Sequence, residues 1–305
     1  MIRHLILSRA VVSTALLALV AYTGISQRPP PTAQLHPGQI LFYRIDFKGS
    51  RSTKTESRVI SPQTPPTENI TASALLQVEI VEASATGFRM KTYYSERDPS
   101  TGSPQSSTPA TPSADKMVEL LVSPDGTVSQ IKGVDQLSPA QQFAWNDWLS
   151  RFTSPMAFAK LGAGIGQKWE SAEREMASSP IASLFWVKKY QYTRDEPCTA
   201  TSTSQLCAVV LVRATLRQKS APKNSTPEDY KLRNLKTRGT ASGQNESVLY
   251  ISRSTGLLVR SMEDAQQSMD AIIALTDGSN EIHYTLNARS HSEVLLLHDS
   301  PTDLH

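Results

Sequence analysis

Few residues in this chain have the types and the spacing of a disulfide, a metal site or a catalytic site. The two cysteines are the first candidates. Cys198 and Cys207 are the only cysteines, and they bracket a short polar segment. A C-x8-C pair matches neither a zinc-ligand spacing nor a redox motif. In an exported protein, a lone pair at this spacing is typical of a structural disulfide. We therefore predict a bond between Cys198 and Cys207, with two free thiols as the alternative.

The histidines near the C-terminus are the second candidates. His283 and His291 are eight residues apart, and Glu281 and Glu293 lie near them in the sequence. Their spacing is not a recognised metal-ligand pattern such as H-x3-H. We interpret these histidines as solvated side chains on the wet face of a strand, and we predict no metal and no cofactor.

The chain has one glycine-rich segment, which lies just before Trp169. Gly162, Gly164 and Gly166 precede Trp169, but a phosphate-binding loop follows a strand and opens a helix, and this segment does neither. The chain contains no G-x-S-x-G and no H-E-x-x-H. Carboxylate neighbours such as Glu263–Asp264 lie beside a predicted hairpin, where we expect them to be solvated. The prediction is therefore a protein that is not an enzyme.

The N-terminus predicts export. Arg3 and Arg9 precede an apolar run over 11–21, and small residues follow, which is the pattern of a signal peptide over residues 1–26. The run is shorter than the roughly 20 apolar residues that span a bilayer. We predict cleavage after Ser26, with an uncleaved membrane anchor as the alternative, and a Pro-rich linker over 27–38. The location is then periplasmic or extracellular, with membrane contact only through an uncleaved N-terminal segment.

The charge of the chain argues against a nucleic-acid partner. The formal net charge is +3, and removal of Arg3 and Arg9 leaves +1. A nearly neutral surface gives little electrostatic attraction to a polyanion such as DNA or RNA. The most basic segment, 213–238, lacks the interleaved aromatic side chains that stack on bases. We expect this segment to be a solvated loop.

Strand signals dominate the rest of the sequence. Residues 40–47, 76–80 and 88–94 alternate apolar and polar side chains, and a Ser-Pro-Asp-Gly turn at 123–126 separates two further runs. Such alternation favours antiparallel sheet with one wet face. We expect one β-rich domain over 39–298, with low-complexity loops at 49–73, 96–116 and 218–244. The predicted fold is mainly β (α+β): a curved antiparallel sheet or half-barrel of about ten strands packed on one central helix.

The helix that this fold requires begins near Ser138. Ser138 and Gln141 match a capping box, Pro139 suits the first helical position, and Pro155 is expected to end the helix. Four apolar side chains share one helical face. Plain core packing is one interpretation of this stripe, and the wall of a cavity for an apolar ligand is the other. These residues are Trp145, Trp148, Leu149 and Phe152.

The C-terminal third contains a strand, a Thr-Gly turn and a second strand over 247–261. Together with the opening segment 38–45, the Pro-Asp-Gly-Thr-Val turn at 124–128 and Gly-Gln-Lys-Trp at 166–169, this pattern resembles exported bacterial β-rich proteins of unknown function. It implies an envelope location, and it implies no catalytic residues. The overall shape also resembles half-barrel lipoprotein carriers, by analogy of fold alone.

Three functions follow as hypotheses. The first is a non-enzymatic, exported envelope protein that serves as a binding or scaffolding module. The second is a periplasmic carrier or sensor that holds an apolar small molecule between sheet and helix. The third is an envelope hydrolase whose site is assembled only by the fold. The partner is unknown, and an apolar small molecule or an envelope component is expected.

Overall fold

The computed structural model describes residues 35–57, 67–96, 116–159, 164–174, 179–199 and 202–300. The predicted signal peptide and most of the predicted Pro-rich linker lie outside these residues, so both remain predictions. The last residues of the predicted linker contact the domain: Leu35 belongs to the core, and the Gly38 amide donates to the Ile80 carbonyl.

The described residues form eleven strands, two α-helices and two short 3-10 turns. All eleven strands belong to one open antiparallel sheet with the spatial order β5-β4-β3-β2-β1-β11-β10-β9-β8-β7-β6. The helices are α1 (Pro139–Ala159) and α2 (Glu228–Lys231), and the 3-10 turns are at Val134–Gln136 and Pro222–Asn224. The strands are β1 (Ile40–Ser57), β2 (Thr67–Ser84), β3 (Gly87–Glu96), β4 (Met117–Val122), β5 (Val128–Lys132), β6 (Lys168–Arg174), β7 (Leu184–Thr199), β8 (Ser202–Gln218), β9 (Leu235–Ser252), β10 (Leu258–Leu275) and β11 (Ile282–Ser300).

The strand order shows how the two halves of the chain meet. Strands β1 to β5 are added one after another toward one edge of the sheet. The chain then passes through α1 to the opposite edge and returns inward from β6 to β11. The first and the last strand are therefore neighbours in the middle of the sheet, and a surface there draws residues from both ends of the chain.

The sheet has an inner face, which carries the apolar core, and an outer face, which is mostly polar. On β1, Leu41, Tyr43 and Ile45 are buried, whereas the alternate residues Arg44 and Asp46 are partly exposed. Successive side chains of a strand point to opposite faces, so the same division continues along the paired strands. The predicted antiparallel, mainly β architecture with one wet face agrees with this arrangement.

The prediction of about ten strands packed on one central helix is wrong. The long strands have 18 or 19 residues, which is about 60 Å, whereas the 21 residues of α1 extend only about 32 Å. Helix α1 packs on one end of the inner face. The other end has its own apolar cluster, to which no residue of α1 belongs: Ile181, Leu184, Leu216, Met269 and Ala271.

Parts of two predicted low-complexity loops form strands in the structure. Residues 49–57 extend β1, residues 67–73 begin β2, and residues 235–244 begin β9. Their Ser, Thr and Lys side chains hide the period-2 signal, because polar residues occupy both faces here. Backbone pairing with neighbouring strands keeps these segments in the strand conformation. This pairing depends on residues that are distant in the sequence.

The start of α1 agrees with the prediction, and its end does not. The Gln141 side chain accepts a hydrogen bond from the Ser138 amide at 2.9 Å, and the Ser138 hydroxyl accepts one from the Gln141 amide at 3.4 Å. The helix continues through Pro155 to Ala159. Burial of Met156 extends the apolar stripe by one turn, and this contact outweighs the missing amide of the proline.

Candidate functional site

The four predicted residues of the α1 stripe lie together on the inner face of the sheet. Trp145 and Trp148 are fully buried, and Leu149 and Phe152 nearly so. The Trp148 ring stacks on Phe152 at 5.0 Å between centroids, and both rings contact Tyr43 at 5.8 and 5.9 Å. These contacts are those of a packed aromatic core. A ligand cavity beside this stripe remains a prediction.

The predicted disulfide is present. Cys198 on β7 is bonded to Cys207 on β8, with 4.9 Å between their Cα atoms. Both cysteines are buried and form a small cluster with Val259 of β10. The bond therefore joins two neighbouring strands and contributes to a small apolar cluster that is separate from the main core.

The two histidines lie on the outer face, each beside a carboxylate of the neighbouring strand. His283 Nε2 is 3.0 Å from Asp270 Oδ1, and His291 Nδ1 is 2.8 Å from Asp264 Oδ1. Within the described ranges, no group of three or more His, Cys, Asp or Glu side chains is arranged to hold a metal ion.

A buried charged cluster, which the sequence did not predict, lies between α1 and the inner face of the sheet. Its centre is Arg151 of α1, whose side chain is 3% exposed. Arg151 Nη2 donates to both carboxylate oxygens of Asp147 at 2.6 Å, and Nη1 donates to Ser261 Oγ of β10 at 3.2 Å. Nη2 also contacts the hydroxyl of Ser292 on β11. One guanidinium thus connects the helix with two strands.

Glu263 of β10 is the second acid of this cluster. Its Oε2 atom lies 3.5 Å from Arg151 Nε, and its side chain is 15% exposed. Burial is the main cause that raises the pKa of Glu263 to about 7. Arg151 opposes this rise, and the Asp147 charge adds to it. The expectation that Glu263 and Asp264 are solvated is correct for Asp264, which is 79% exposed, and wrong for Glu263 because adjacent residues face opposite sides.

Lys188 of β7 is the second cation near the cluster. Its Nζ donates to Glu173 Oε2 of β6 at 2.6 Å and to Ser150 Oγ of α1 at 3.0 Å. Burial is the largest single effect on the pKa of Lys188 and acts to lower it, but the charge and hydrogen bond of Glu173 together with Tyr190 and Glu263 outweigh burial, so the pKa lies above its ordinary value. Arg151 is thus matched by Asp147 and Lys188 by Glu173, which leaves Glu263 as the acid that can hold a proton near neutral pH.

This arrangement is better suited to connecting α1 with the sheet than to catalysis. Every charged group of the cluster is within 4 Å of a group of opposite charge. A buried ion pair of this kind is strongly destabilised when one partner is removed. The sequence contained one signal for the charged cluster. Arg151 lies between Trp148 and Phe152, on a helix that has a buried apolar stripe.

The outer face carries a groove of about 670 Å³. Paired positions of antiparallel strands share a face, so the groove residues form rows that run across the sheet. One row contains Ser50, Arg289, Gln266, Gln244 and Thr215. The next row contains Thr67, Ser52, Asn287, Ser268 and Ser242.

Side-chain size contributes to the depression. Serine or threonine occupies six of the ten positions in the two rows, whereas the adjacent row on the outer face contains Lys48, His291 and Arg213. The side-chain hydrogen bonds across the groove are few: Gln266 Nε2 donates to Gln244 Oε1 at 3.4 Å, and the Ser242 and Ser268 hydroxyls are 2.8 Å apart. The groove therefore offers many polar groups to a ligand.

The groove has a positive charge of its own. Arg289 of β11 and Arg217 of β8 line it, and no carboxylate lines it among the residues that the structure describes. The neighbouring row differs, because its charges are paired across strands, as Arg213 is with Glu246 at 3.1 Å. The sequence contained no signal for the groove, since its residues come from six strands at both ends of the chain.

Comparisons with known proteins leave the family open. No protein-family model matches the chain, and no curated protein sequence matches it. The outer membrane protein OprG from Pseudomonas aeruginosa is 8% identical with a TM-score of 0.19, over 87% of this chain and 99% of that one. An outer membrane channel from Pseudomonas putida F1 is 7% identical with a TM-score of 0.19, over 88% and 99%. At these scores the likeness carries no argument about fold or function.

In the described part of the chain, none of the helices has the length and apolar character needed to cross a membrane.

Proposed function

We propose that this chain is an exported, non-enzymatic binding module whose ligand lies in the outer-face groove. The observation that carries the proposal is the groove itself: hydrogen-bonding side chains from six strands face outward, and the described structure uses few of them internally. A ligand that fits them is rich in hydroxyl or amide groups, because Ser, Asn and Gln donate and accept hydrogen bonds.

Export is supported by two independent features. The N-terminal segment has the pattern of a signal peptide, and Cys198 is bonded to Cys207. Disulfides persist in oxidising compartments such as the periplasm or the cell exterior. The proposed location is therefore the cell envelope or its surroundings.

The distribution of acids supports a role in binding rather than in catalysis. General acid–base chemistry most often uses a His, Asp, Glu, Lys, Tyr or Cys side chain within reach of the substrate. The described residues that line the groove include none of these types. The acids of the inner cluster are already paired with Arg151 and Lys188.

A groove-blocking variant tests the proposal. Ser268→Trp places an indole in the middle of the groove, and Thr240→Trp places the same indole on the same face of β9, two residues from Ser242 and outside the groove residues. Binding of soluble polysaccharides, both neutral dextran and acidic polygalacturonate, is measured by calorimetry on the mature chain. We expect Ser268→Trp to lose binding that Thr240→Trp retains. Equal binding by both variants, or no binding by the wild type, contradicts the proposal.

A further inference from the structure

We propose that the ligand of the outer-face groove is a segment of an acidic polysaccharide, a chain of sugars that carry carboxylate or sulfate groups. This inference rests on the proposed function and adds the chemical class of the ligand. It follows from the charges of the groove, from their separation, and from the polar groups between them.

The two arginines are the only charged side chains that line the groove among the described residues. Arg289 and Arg217 are exposed, and neither has a carboxylate partner in the described structure. Guanidinium groups bind carboxylate, sulfate and phosphate oxygens through paired hydrogen bonds. Other arginines of the outer face, such as Arg213 and Arg238, already have Glu246 and Glu281 as partners. The groove is therefore the part of the described outer face where two guanidinium groups are open to an anionic ligand.

The distance between the arginines excludes a single small anion as the ligand of both. Arg289 is on β11 and Arg217 is on β8, so β10 and β9 lie between them. Three strand spacings of about 4.8 Å and a shift of two residues along the strand give roughly 16 Å between their Cα atoms. Strand side chains stand nearly perpendicular to the sheet, so the two guanidinium groups stay apart. A ligand that engages both must carry anionic groups at intervals along an extended chain.

The residues between the arginines fit the uncharged part of such a chain. Gln266, Gln244, Ser268 and Ser242 lie between Arg289 and Arg217 on β10 and β9. Their amide and hydroxyl groups match the hydroxyl groups of sugar rings in both donor and acceptor character. The groove crosses six strands, about 24 Å, which is long enough for several consecutive sugars.

The same residues argue against a nucleic acid as the polyanion. Proteins that bind single strands stack bases on aromatic side chains within a positively charged groove. No aromatic side chain lines this groove among the described residues, and the formal charge of the whole chain is only +3. An acidic polypeptide shares the carboxylates but not the hydroxyl groups, and it is included below as a competing probe.

The experiment uses the mature chain with Arg289→Gln, Arg217→Gln and the double variant. Arg194→Gln is the matched control, because Arg194 of β7 is also exposed and its loss changes the net charge equally, but its partner is Glu196. Binding of a polygalacturonate oligomer is measured by calorimetry at low and at high salt. We expect each groove variant to weaken binding about tenfold, the double variant about a hundredfold, and the control less than twofold. Rising salt should weaken wild-type binding.

Three results would overturn the inference: dextran that binds as tightly as polygalacturonate, polyglutamate that binds as tightly as polygalacturonate, and arginine variants that bind as tightly as the Arg194→Gln control. If Ser268→Trp abolishes polysaccharide binding while both arginine variants bind normally, the groove is the binding site and only its proposed acidic specificity fails. If Ser268→Trp changes nothing, the proposed function fails as well. Thermal unfolding of each variant checks that the substitutions leave the fold intact.

Discussion

Arg151 Nη2 lies 2.6 Å from both carboxylate oxygens of Asp147, one turn earlier on α1. The pair is buried between the helix and the sheet, and Ser261 and Ser292 hold the same guanidinium from two strands. Because the charges cancel within the cluster, a polar layer can exist next to the aromatic core. Helix α1 is thus attached to the sheet by two kinds of contact, aromatic packing on one side and a charge network on the other.

The first prediction is that Arg151→Met destabilises the protein by about 3–5 kcal/mol. The substitution keeps the apolar volume but leaves Asp147 and Glu263 buried without their cation, and this is the costly way to break a buried pair. Urea unfolding at pH 7 gives the difference in the free energy of unfolding. The double variant Arg151→Met/Asp147→Leu should recover part of the loss. An effect below 1 kcal/mol, as expected for the exposed Arg194–Glu196 pair, would show that the cluster is solvated.

The second prediction concerns pH. Folding raises the pKa of Glu263 from 4.5 to about 7. Between these two pH values, the folded protein therefore keeps a proton that the unfolded chain has lost. The stability that this proton provides is present below pH 4.5 and is lost as the pH rises through 7. The loss is at most about 3 kcal/mol, at 1.36 kcal/mol for each pKa unit.

Two neutral variants test the pH dependence. Glu263→Gln keeps the shape without the charge, so its free energy of unfolding should fall less between pH 5 and pH 8 than that of the wild type. Asp264→Asn, on the exposed side of the same strand, should keep the wild-type slope. If both variants lose stability with pH as the wild type does, Glu263 is not the group that titrates.

The third prediction distinguishes a packed core from a ligand cavity beside α1. If Trp148 is packed core, Trp148→Ala should cost about 3–5 kcal/mol in urea unfolding. Phe143→Ala on the same helix should cost clearly less, since Phe143 is 52% exposed. Uptake of a hydrophobic fluorescent probe by the wild type is measured in parallel. A small cost together with saturable uptake that the variant abolishes would favour the apolar-ligand carrier over the proposed function.

The fourth prediction is that the Cys198–Cys207 bond forms in the exported protein and contributes about 2–3 kcal/mol to stability. The bond closes a loop with a sequence separation of 9, which is short, so the entropic gain is at the lower end for disulfides. Peptide mapping of unreduced protein from the exported compartment detects the bond, and alkylation of two free thiols there would contradict it. Replacement of both cysteines by serine should lower the free energy of unfolding and remove its sensitivity to reductant.

The sequence alone determined the features that depend on short segments. The alternation over 40–47 predicted the buried and exposed sides of β1, and Ser138 with Gln141 predicted the capping box of α1. The lone cysteine pair predicted the disulfide. Each of these signals acts within about ten residues, so nothing elsewhere in the chain was needed to interpret it.

The tertiary structure decided everything that depends on which strands are neighbours. Residues 49–57 become strand because β11 pairs with them from the other end of the chain, although their own side chains resemble a loop. Arg151 and Ser292 meet across 141 residues of sequence, and Glu263 is buried while Asp264 is exposed because α1 covers only one face of β10. The groove likewise requires that β1 and β2, from one end of the chain, lie beside β8 to β11 from the other end. Strand pairing of this kind is set by packing and hydrogen bonding across the whole sheet, and local periodicity contains no information about it.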